Sequence, residues 1–444
     1  MSRVPVLTIF GSTGTGKSRL AIEMARRFSG EIISADSMQL YKGLDIITAK
    51  VTKEERAMAP HHMVDTIDPL IHDFTVLQFR DMTLPIIDEL LAREKLPIIV
   101  GGTNYYIEAL LWKILIANSE TVANSSVSLC MENAYNDGDN KKLKIDLDRN
   151  SKESNENLFK KLMEVDPEMA KRLHPNNRRK IIRSLEVFVQ QGVTHSELLK
   201  AQRTAGSSGL GGRLRYPNSV ILWLQSDRTV LEERLDSRVD AMVQTGLVQE
   251  LLDFHRRYNE QRIATNTLPD YTKGIFQSIG FKEFHRYLML SEEEKREKKG
   301  EELLQEGIDN LKLVTKRYSK MQEKWIRNRM IRRVDRQTPP IYTLDCTDVK
   351  NWEHSVYGKA VSIVEAILRG EKPEQAAANE SIENIKTTDS SNEECHYCDV
   401  CDRFFIGEQW GIHLKSNKHQ KVLIKKKKLA EKEAMEERTI KVNE

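Results

Sequence analysis

Gly11-Ser12-Thr13-Gly14-Thr15-Gly16-Lys17-Ser18 fits the spacing G-x-x-x-x-G-K-[ST] of a phosphate-binding loop. Glycines in such a loop bring backbone N–H groups close to phosphate oxygens, and the helix that follows adds positive potential at its N-terminus. Lys17 would hold a phosphate and Ser18 a Mg²⁺ ion. The bland alternative is a chance match in a Gly/Ser/Thr-rich turn, and the flanks speak against it. Val4 to Phe10 is a short β-branched apolar run of the kind a buried parallel strand makes, and Arg19 to Phe28 repeats apolar residues at helical spacing.

Further groups fall where the same cleft would use them. Glu31 to Ala35 reads as a second strand with Asp36 at its carboxyl end, where open α/β sheets keep their ligand crevice. Leu96 to Val100 reads as a third strand, and Gly101-Gly102-Thr103 follows it. An ordinary P-loop NTPase places an acid there to organise Mg²⁺ and water, so Asp36 is left as the strand-end carboxylate near the phosphates. After a strand at Ser219–Leu224, Asp227 is a candidate helix cap. Arg234 and Arg238, four residues apart on that helix, share a face that could close over phosphates or carry surface ion pairs.

A second compact motif is Cys398-x2-Cys401-x11-His413-x5-His419. Two thiolates and two imidazoles make a closed tetrahedral Zn²⁺ site with no open position for chemistry. Phe404, Phe405, Trp410 and Leu414 could supply its miniature core, and Cys395 offers an alternative to one thiolate through Cys395-x2-Cys398. Basic residues cluster at Arg178-Arg179-Lys180, from Lys312 to Arg333 and from Lys421 to Lys428. In the second cluster Lys316, Arg317, Lys320, Lys324, Arg327 and Arg329 alternate with Tyr318 and Trp325, a mixture that suits a nucleic-acid backbone with stacked bases or an amphipathic helix with a buried aromatic side. Several clusters in one P-loop protein point to a polyanionic partner.

The elements that must position these groups follow from the same reading. A chain of 444 residues exceeds one ordinary core. The expected fold is α/β: a P-loop NTPase-like core with a parallel sheet, a helical insertion domain and a C-terminal zinc finger. Residues 1–115 are the first part of the core, 116–212 a helical insertion with flexible loops, and 213–345 the rest of the core with basic helices. Residues 346–392 read as a linker, most polar from about Gly370 to Glu394. The finger takes 393–424 and a charged tail 425–444. Within the insertion, 114–157 reads as a loop or poorly ordered stretch, Leu158 to Gly192 as helix broken at Asp166-Pro167 and at His174 to Asn177, and Thr194 to Gly212 as another loop. No apolar run is long enough for a bilayer and no room for a presequence precedes the first strand, so a soluble protein is expected. Five cysteines, three of them between Cys395 and Cys401, do not look like a secreted disulfide framework, and a reducing compartment is the better reading.

Taken together, GSTGTGKS, ISADSMQLYKGLDIITAK, PHHMVDTIDP, GGTNYYIEAL, DPEMAKRLHPNNRRKIIRSLEVF, SIGFKE and the terminal finger resemble the eukaryotic tRNA dimethylallyltransferases, also called tRNA isopentenyltransferases. The resemblance runs through most of 4–335 and resumes at the finger. Departures are Asn104 where the family pattern has glycine, Asn177 where it has Asp, and a finger one residue short. The resemblance implies that the loop holds the pyrophosphate of dimethylallyl diphosphate. The allyl group would pass to N6 of a tRNA adenosine on the 3′ side of the anticodon. Asp36 would be the general base, Thr103 would help position the reacting groups, and Lys17, Mg²⁺ on Ser18 and one arginine of the Arg234/Arg238 pair would receive the leaving-group charge. Ser37, Gln39 and Tyr41 resemble family residues around the target nucleotide. Arg178, Lys316, Arg317, Lys320, Trp325 and the finger would grip the anticodon stem-loop. A cytoplasmic pool is expected, with mitochondrial or nuclear pools open, and neither fold nor chemistry requires more than a monomer. Competing readings are an allyltransferase for free adenine nucleotides, a P-loop kinase or NTPase, and a non-catalytic zinc-finger RNA-binding protein.

Overall fold

The computed structural model describes residues 4–113, 153–204, 213–266, 273–331, 337–379 and 395–429, the last without 402, 407 and 428. Strand β1 (Val6–Gly11) leads into helix α1 (Lys17–Phe28), β2 (Glu31–Ser34), the short α2 (Lys53–Met58), β3 (His61–His62), α3 (Val76–Ala92), β4 (Pro97–Val100) and α4 (Asn104–Leu111). Four helices follow: α5 (Asn155–Val165), α6 (Pro167–Arg172), α7 (Arg178–Gln191) and α8 (His195–Thr204). The chain then runs through β5 (Ser219–Gln225), α9 (Arg228–Gln244), α10 (Leu247–Ala264), α11 (Phe281–Leu288), α12 (Glu292–Arg296), α13 (Lys298–Ile326), β6 (Ile341–Asp345) and α14 (Gly358–Leu368). It closes with β7 (Cys395–Cys398), β8 (Arg403–Ile406) and α15 (Glu408–Leu414).

The chain divides into two compact units, one of residues 1–114 and 213–385 and one of 115–212 and 386–444. In the first, six parallel strands lie in the order β3-β2-β4-β1-β5-β6. Side chains alternate between faces along a strand, so both faces of β1 are apolar: Val6 and Phe10 enter one core layer, Leu7 and Ile9 the other. That is why these strands read as unbroken apolar runs. Trp112 bridges to Leu214, and Lys113 N donates to Arg213 O at 2.9 Å, so the chain leaves this unit and re-enters it at neighbouring points.

Residues 346–392 differ from the expected linker. Trp352, Val356, Ala360, Ile363 and Val364 are buried against the α1 face of the sheet, and Ala377 joins them. Their spacing of roughly four is helical, and the polar average of the stretch hides it. Packed structure therefore reaches at least Ala377, and 380–392 of the expected linker lie outside the described residues.

In the second unit Leu158, Leu162, Ala170, Leu173, Ile181, Ile182 and Leu185 form a separate small core. Asp166 caps α6 through Met169 N and also accepts from Ser196 N, both at 2.9 Å, with Pro167 at the first helical position. Thr194 to Gly212 is not a loop throughout, because α8 occupies 195–204. Thr194 and Glu197 reciprocally cap its start, a T-x-x-E box legible in the sequence. The expected loop at 114–157 ends earlier than read, at the start of α5, and 114–152 lie outside the described residues. A helix over 417–427 crosses the expected boundary between finger and tail. No helix among the described residues is long and apolar enough to cross a membrane.

Candidate active site and zinc centre

The loop from Gly11 to Ser18 joins β1 to α1 as a tight cradle. Gly16 caps α1 at φ 84°, in the left-handed region, and a Cβ there would lie 2.7 Å from the Trp352 ring. Backbone conformation and the indole beneath the loop both require glycine. Thr15 Oγ1 and Lys17 Nζ each donate to Ser12 O at 2.8 Å, which folds the loop on itself. Gly11, Gly14 and Gly16 all have positive φ. Ser18, in the first turn of α1, is exposed.

Asp36 stands just beyond β2. Met38 N donates to its Oδ1 at 3.0 Å, and a Cβ on Gly102 would come within 3.1 Å of Oδ2. Burial pushes the Asp36 carboxyl above the usual carboxylate range, against the opposing pull of the Met38 amide, Lys17, the Gly102 amide and Arg238. Burial also brings the Lys17 ammonium down to about 8; Asp36 opposes that shift and Arg238 adds to it. Desolvation lowers Arg238 too, with Asp36 opposing. Asp36, Lys17 and Arg238 therefore share one electrostatic site. Thr103 braces it: its Oγ1 accepts from Ser37 N at 2.9 Å and donates to Ser37 Oγ at 3.1 Å.

Of the two candidate arginines only Arg238 faces the loop, donating to Thr13 Oγ1 at 3.2 Å. Arg234 is corrected from ligand binding to anchoring, since it donates to Cys346 O at 2.8 Å and to Thr347 O, holding the end of β6. Tyr41 is corrected as well. Its side chain is buried in the core, and its backbone is bridged to Ile67. Gln39 fastens its own loop, accepting from Ser34 Oγ and donating to Thr48 O and Ala49 O.

The basic residues of α13 fare differently from one another. Lys316 pairs with Asp236 at 2.9 Å and Lys320 with Glu232 at 3.1 Å, so both lysines zip α13 to α9, which removes them from the free cations expected for RNA. Arg317 remains exposed and Trp325 half-buried. Arg178 donates to Glu153 O at 2.5 Å and to Asn155 Oδ1, tying α7 to the start of α5, while Arg179 and Lys180 beside it are exposed.

Sequence reasoning missed the residues that lock this site together. Gln322 of α13 accepts from Thr13 N at 2.8 Å and donates to Gly102 O at 2.9 Å, joining the phosphate loop to the end of β4. Ser12 Oγ donates to Ser319 O and Tyr318 OH to Gly102 O, so α13 touches the site at three residues. The available signal was the spacing of Tyr318, Gln322 and Trp325 along one helical face. Gln322→Ala leaves the half-buried Thr13 amide without its acceptor. We expect a loss of about 1–3 kcal/mol in stability and a weaker response to inorganic diphosphate, read by denaturant unfolding with and without that ligand.

The second unit brings Cys398, Cys401, His413 and His419 together, with their ligand atoms all within 4.8 Å of one another. Both sulfurs lie 3.6 Å from His419 Nδ1, and His413 Nε2 lies 3.1 Å from it. A tetrahedral zinc with Zn–S near 2.3 Å and Zn–N near 2.0–2.1 Å has ligand–ligand edges of roughly 3.3–3.8 Å, so the donor set fits that ion. Cys401 completes the cluster among the described side chains. Phe405 stacks on His413 at 3.7 Å and Trp410 on His396 at 5.3 Å, whereas Leu414 is exposed and supplies no core. The Phe404 side chain lies outside what is described.

Comparisons with known proteins identify the family of the chain. A family model for IPP transferase matches residues 39–329, and one for isopentenyl transferase matches residues 4–59. A tRNA dimethylallyltransferase of Mus musculus is 46% identical over 96% of this chain and 87% of its own, and one of Homo sapiens 44% identical over the same shares. A crystal structure of a eukaryotic dimethylallyltransferase acting on tRNA superposes with a TM-score of 0.72 at 28% identity, covering 98% of this chain and 100% of the other.

Proposed function

The chain belongs to the IPP transferase family, and from that premise we propose how its own residues carry out tRNA prenylation. It is a tRNA dimethylallyltransferase. The donor is dimethylallyl diphosphate, with its diphosphate in the Gly11–Ser18 cradle. The acceptor is N6 of the adenosine on the 3′ side of the anticodon, turned out of its stack to reach the cleft.

The N6 lone pair is delocalised into the purine, so the amine is a weak nucleophile. As its bond to the allyl C1 forms and the C1–O bond breaks, the N6 proton passes to Asp36 and the electron pair leaves with diphosphate. The loop amides, Lys17 and Arg238 stabilise the charge that develops on the leaving oxygen. Thr103, through Ser37, holds the backbone beside Asp36. Ser18, exposed in the first turn of α1, would hold a Mg²⁺ ion, which would supply positive charge against the leaving diphosphate. In the second unit the four converging ligand atoms would hold Zn²⁺, which organises the finger and takes no part in the reaction.

The observation that carries this reading is a single carboxylate in electrostatic contact with both Lys17 and Arg238, at a site where β4 ends in Gly-Gly-Thr with no acid. The test is full-length protein with Mg²⁺, dimethylallyl diphosphate and unmodified tRNA, followed by nucleoside mass analysis. N6-dimethylallyl adenosine is expected in tRNA. Product on AMP alone, or ATP turnover without tRNA, would refute the assignment.

A further inference from the structure

Helix α13 and the turn after it present Tyr318, Gln322, Trp325 and Arg329 in one stripe, at spacings of four, three and four. The first two reach the end of β4 beside Asp36. Seven residues further along, about 10 Å by helical rise, the stripe ends in a cluster that the chemistry above does not use. There the Trp325 and Tyr105 rings lie 6.5 Å apart, and the Arg329 guanidinium sits 5.7 Å from Tyr105 and 5.6 Å from Trp325. Glu108, buried beneath, fixes the guanidinium at 3.2 Å. Tyr105 is two residues beyond Thr103, yet it is 57% exposed. A tyrosine in the first turn after the catalytic strand is thus backed by a pinned cation and left open to water.

Turning a base out of an RNA loop strips one stacking face from each neighbour, and that loss needs cover. Aromatic rings backed by arginine provide such cover for any base, because every base has a π-face. We propose that Tyr105, supported by Trp325 and Arg329, is a stacking subsite for a nucleobase flanking the target adenosine. This rests on the acceptor being RNA, as argued above. The subsite is continuous with the reaction site through α13, and Tyr105 acts by holding the loop open while the target base is out.

Full-length Tyr105→Ala is compared with wild type on an anticodon stem-loop RNA. The variant should lose about tenfold in kcat/KM for RNA while its KM for dimethylallyl diphosphate stays the same, and Tyr105→Phe should recover wild-type behaviour. The stem-loop is also made with an abasic nucleotide on the 5′ or the 3′ side of the target. Wild type should lose about tenfold on one of the two RNAs, and Tyr105→Ala should lose little further on that RNA. Unchanged kcat/KM in Tyr105→Ala, or an abasic penalty that persists in full in the variant, overturns the subsite. Absence of prenyl transfer by wild type instead overturns the functional reading on which it stands.

Discussion

Asp36→Asn should reduce prenyl transfer by about 10²–10⁴-fold with affinity for tRNA retained, since the amide keeps the shape and the Met38 contact but cannot take the N6 proton. The pH dependence gives the sharper check. Burial raises the Asp36 pKa, so below it the base is protonated and kcat/KM for dimethylallyl diphosphate rises as pH climbs through that value. Lys17 titrates near 8, so on the alkaline side its charge is lost and kcat/KM falls. A bell results, and its two limbs belong to a coupled pair. Asp36 itself raises Lys17, so neutralising it removes that support and the Lys17 pKa drops. The residual activity of Asp36→Asn should therefore lack the acid limb, with its alkaline limb displaced to lower pH. A variant within tenfold of wild type, or one that keeps the acid limb, is incompatible with Asp36 as the base.

Much of this site was legible because its parts are local. A buried parallel strand must be apolar on both faces, so β1, β4 and β5 stand out as runs, and loop and carboxylate positions follow from where those runs stop. What escaped depends on contacts between distant segments. Arg234 and Arg238 share a helical face, but they differ by one turn along the axis, and only the position of β6 decides which one meets a carbonyl and which the phosphate loop. Lys316 and Lys320 look like RNA contacts until α9 is laid beside them with Asp236 and Glu232. Gln322 is an ordinary helical residue until the same helix crosses the cleft. Trp352 was hidden by averaging: one buried apolar side chain every helical turn, from Trp352 through Val356 and Ala360 to Ile363, matters more than the charge of the residues between. Tyr41 shows the opposite error, since a residue adjacent in sequence to the reacting loop is turned into the core by its bridge to Ile67.

Withdrawing zinc should unfold the finger while leaving the sheet unit folded. About thirty residues from Cys395 onward bury too little apolar surface to be stable alone, and metal binding supplies the missing folding free energy, about 10–16 kcal/mol in zinc-finger peptides. The described contacts agree: Phe405 stacks on a ligand histidine and Leu414 is exposed, so the four ligands themselves are the centre of the fold. Full-length protein should carry about one zinc per chain, retained in Cys395→Ser and lost in Cys401→Ser. A zinc-selective chelator should abolish the ordered environment of Trp410 without shifting the main unfolding transition. The helix over 417–427 carries Lys418, Lys421, Lys425, Lys426 and Lys427, cations of the kind that neutralise phosphates. Losing its base should raise the tRNA dissociation constant by about tenfold near physiological salt and flatten the salt dependence. Prenyl transfer at saturating tRNA should persist, because Asp36, Lys17 and Arg238 belong to the sheet unit. Zinc loss from Cys395→Ser but not from Cys401→Ser would reverse the ligand assignment. A collapse of saturated turnover on chelation would mean that the finger does more than hold the RNA.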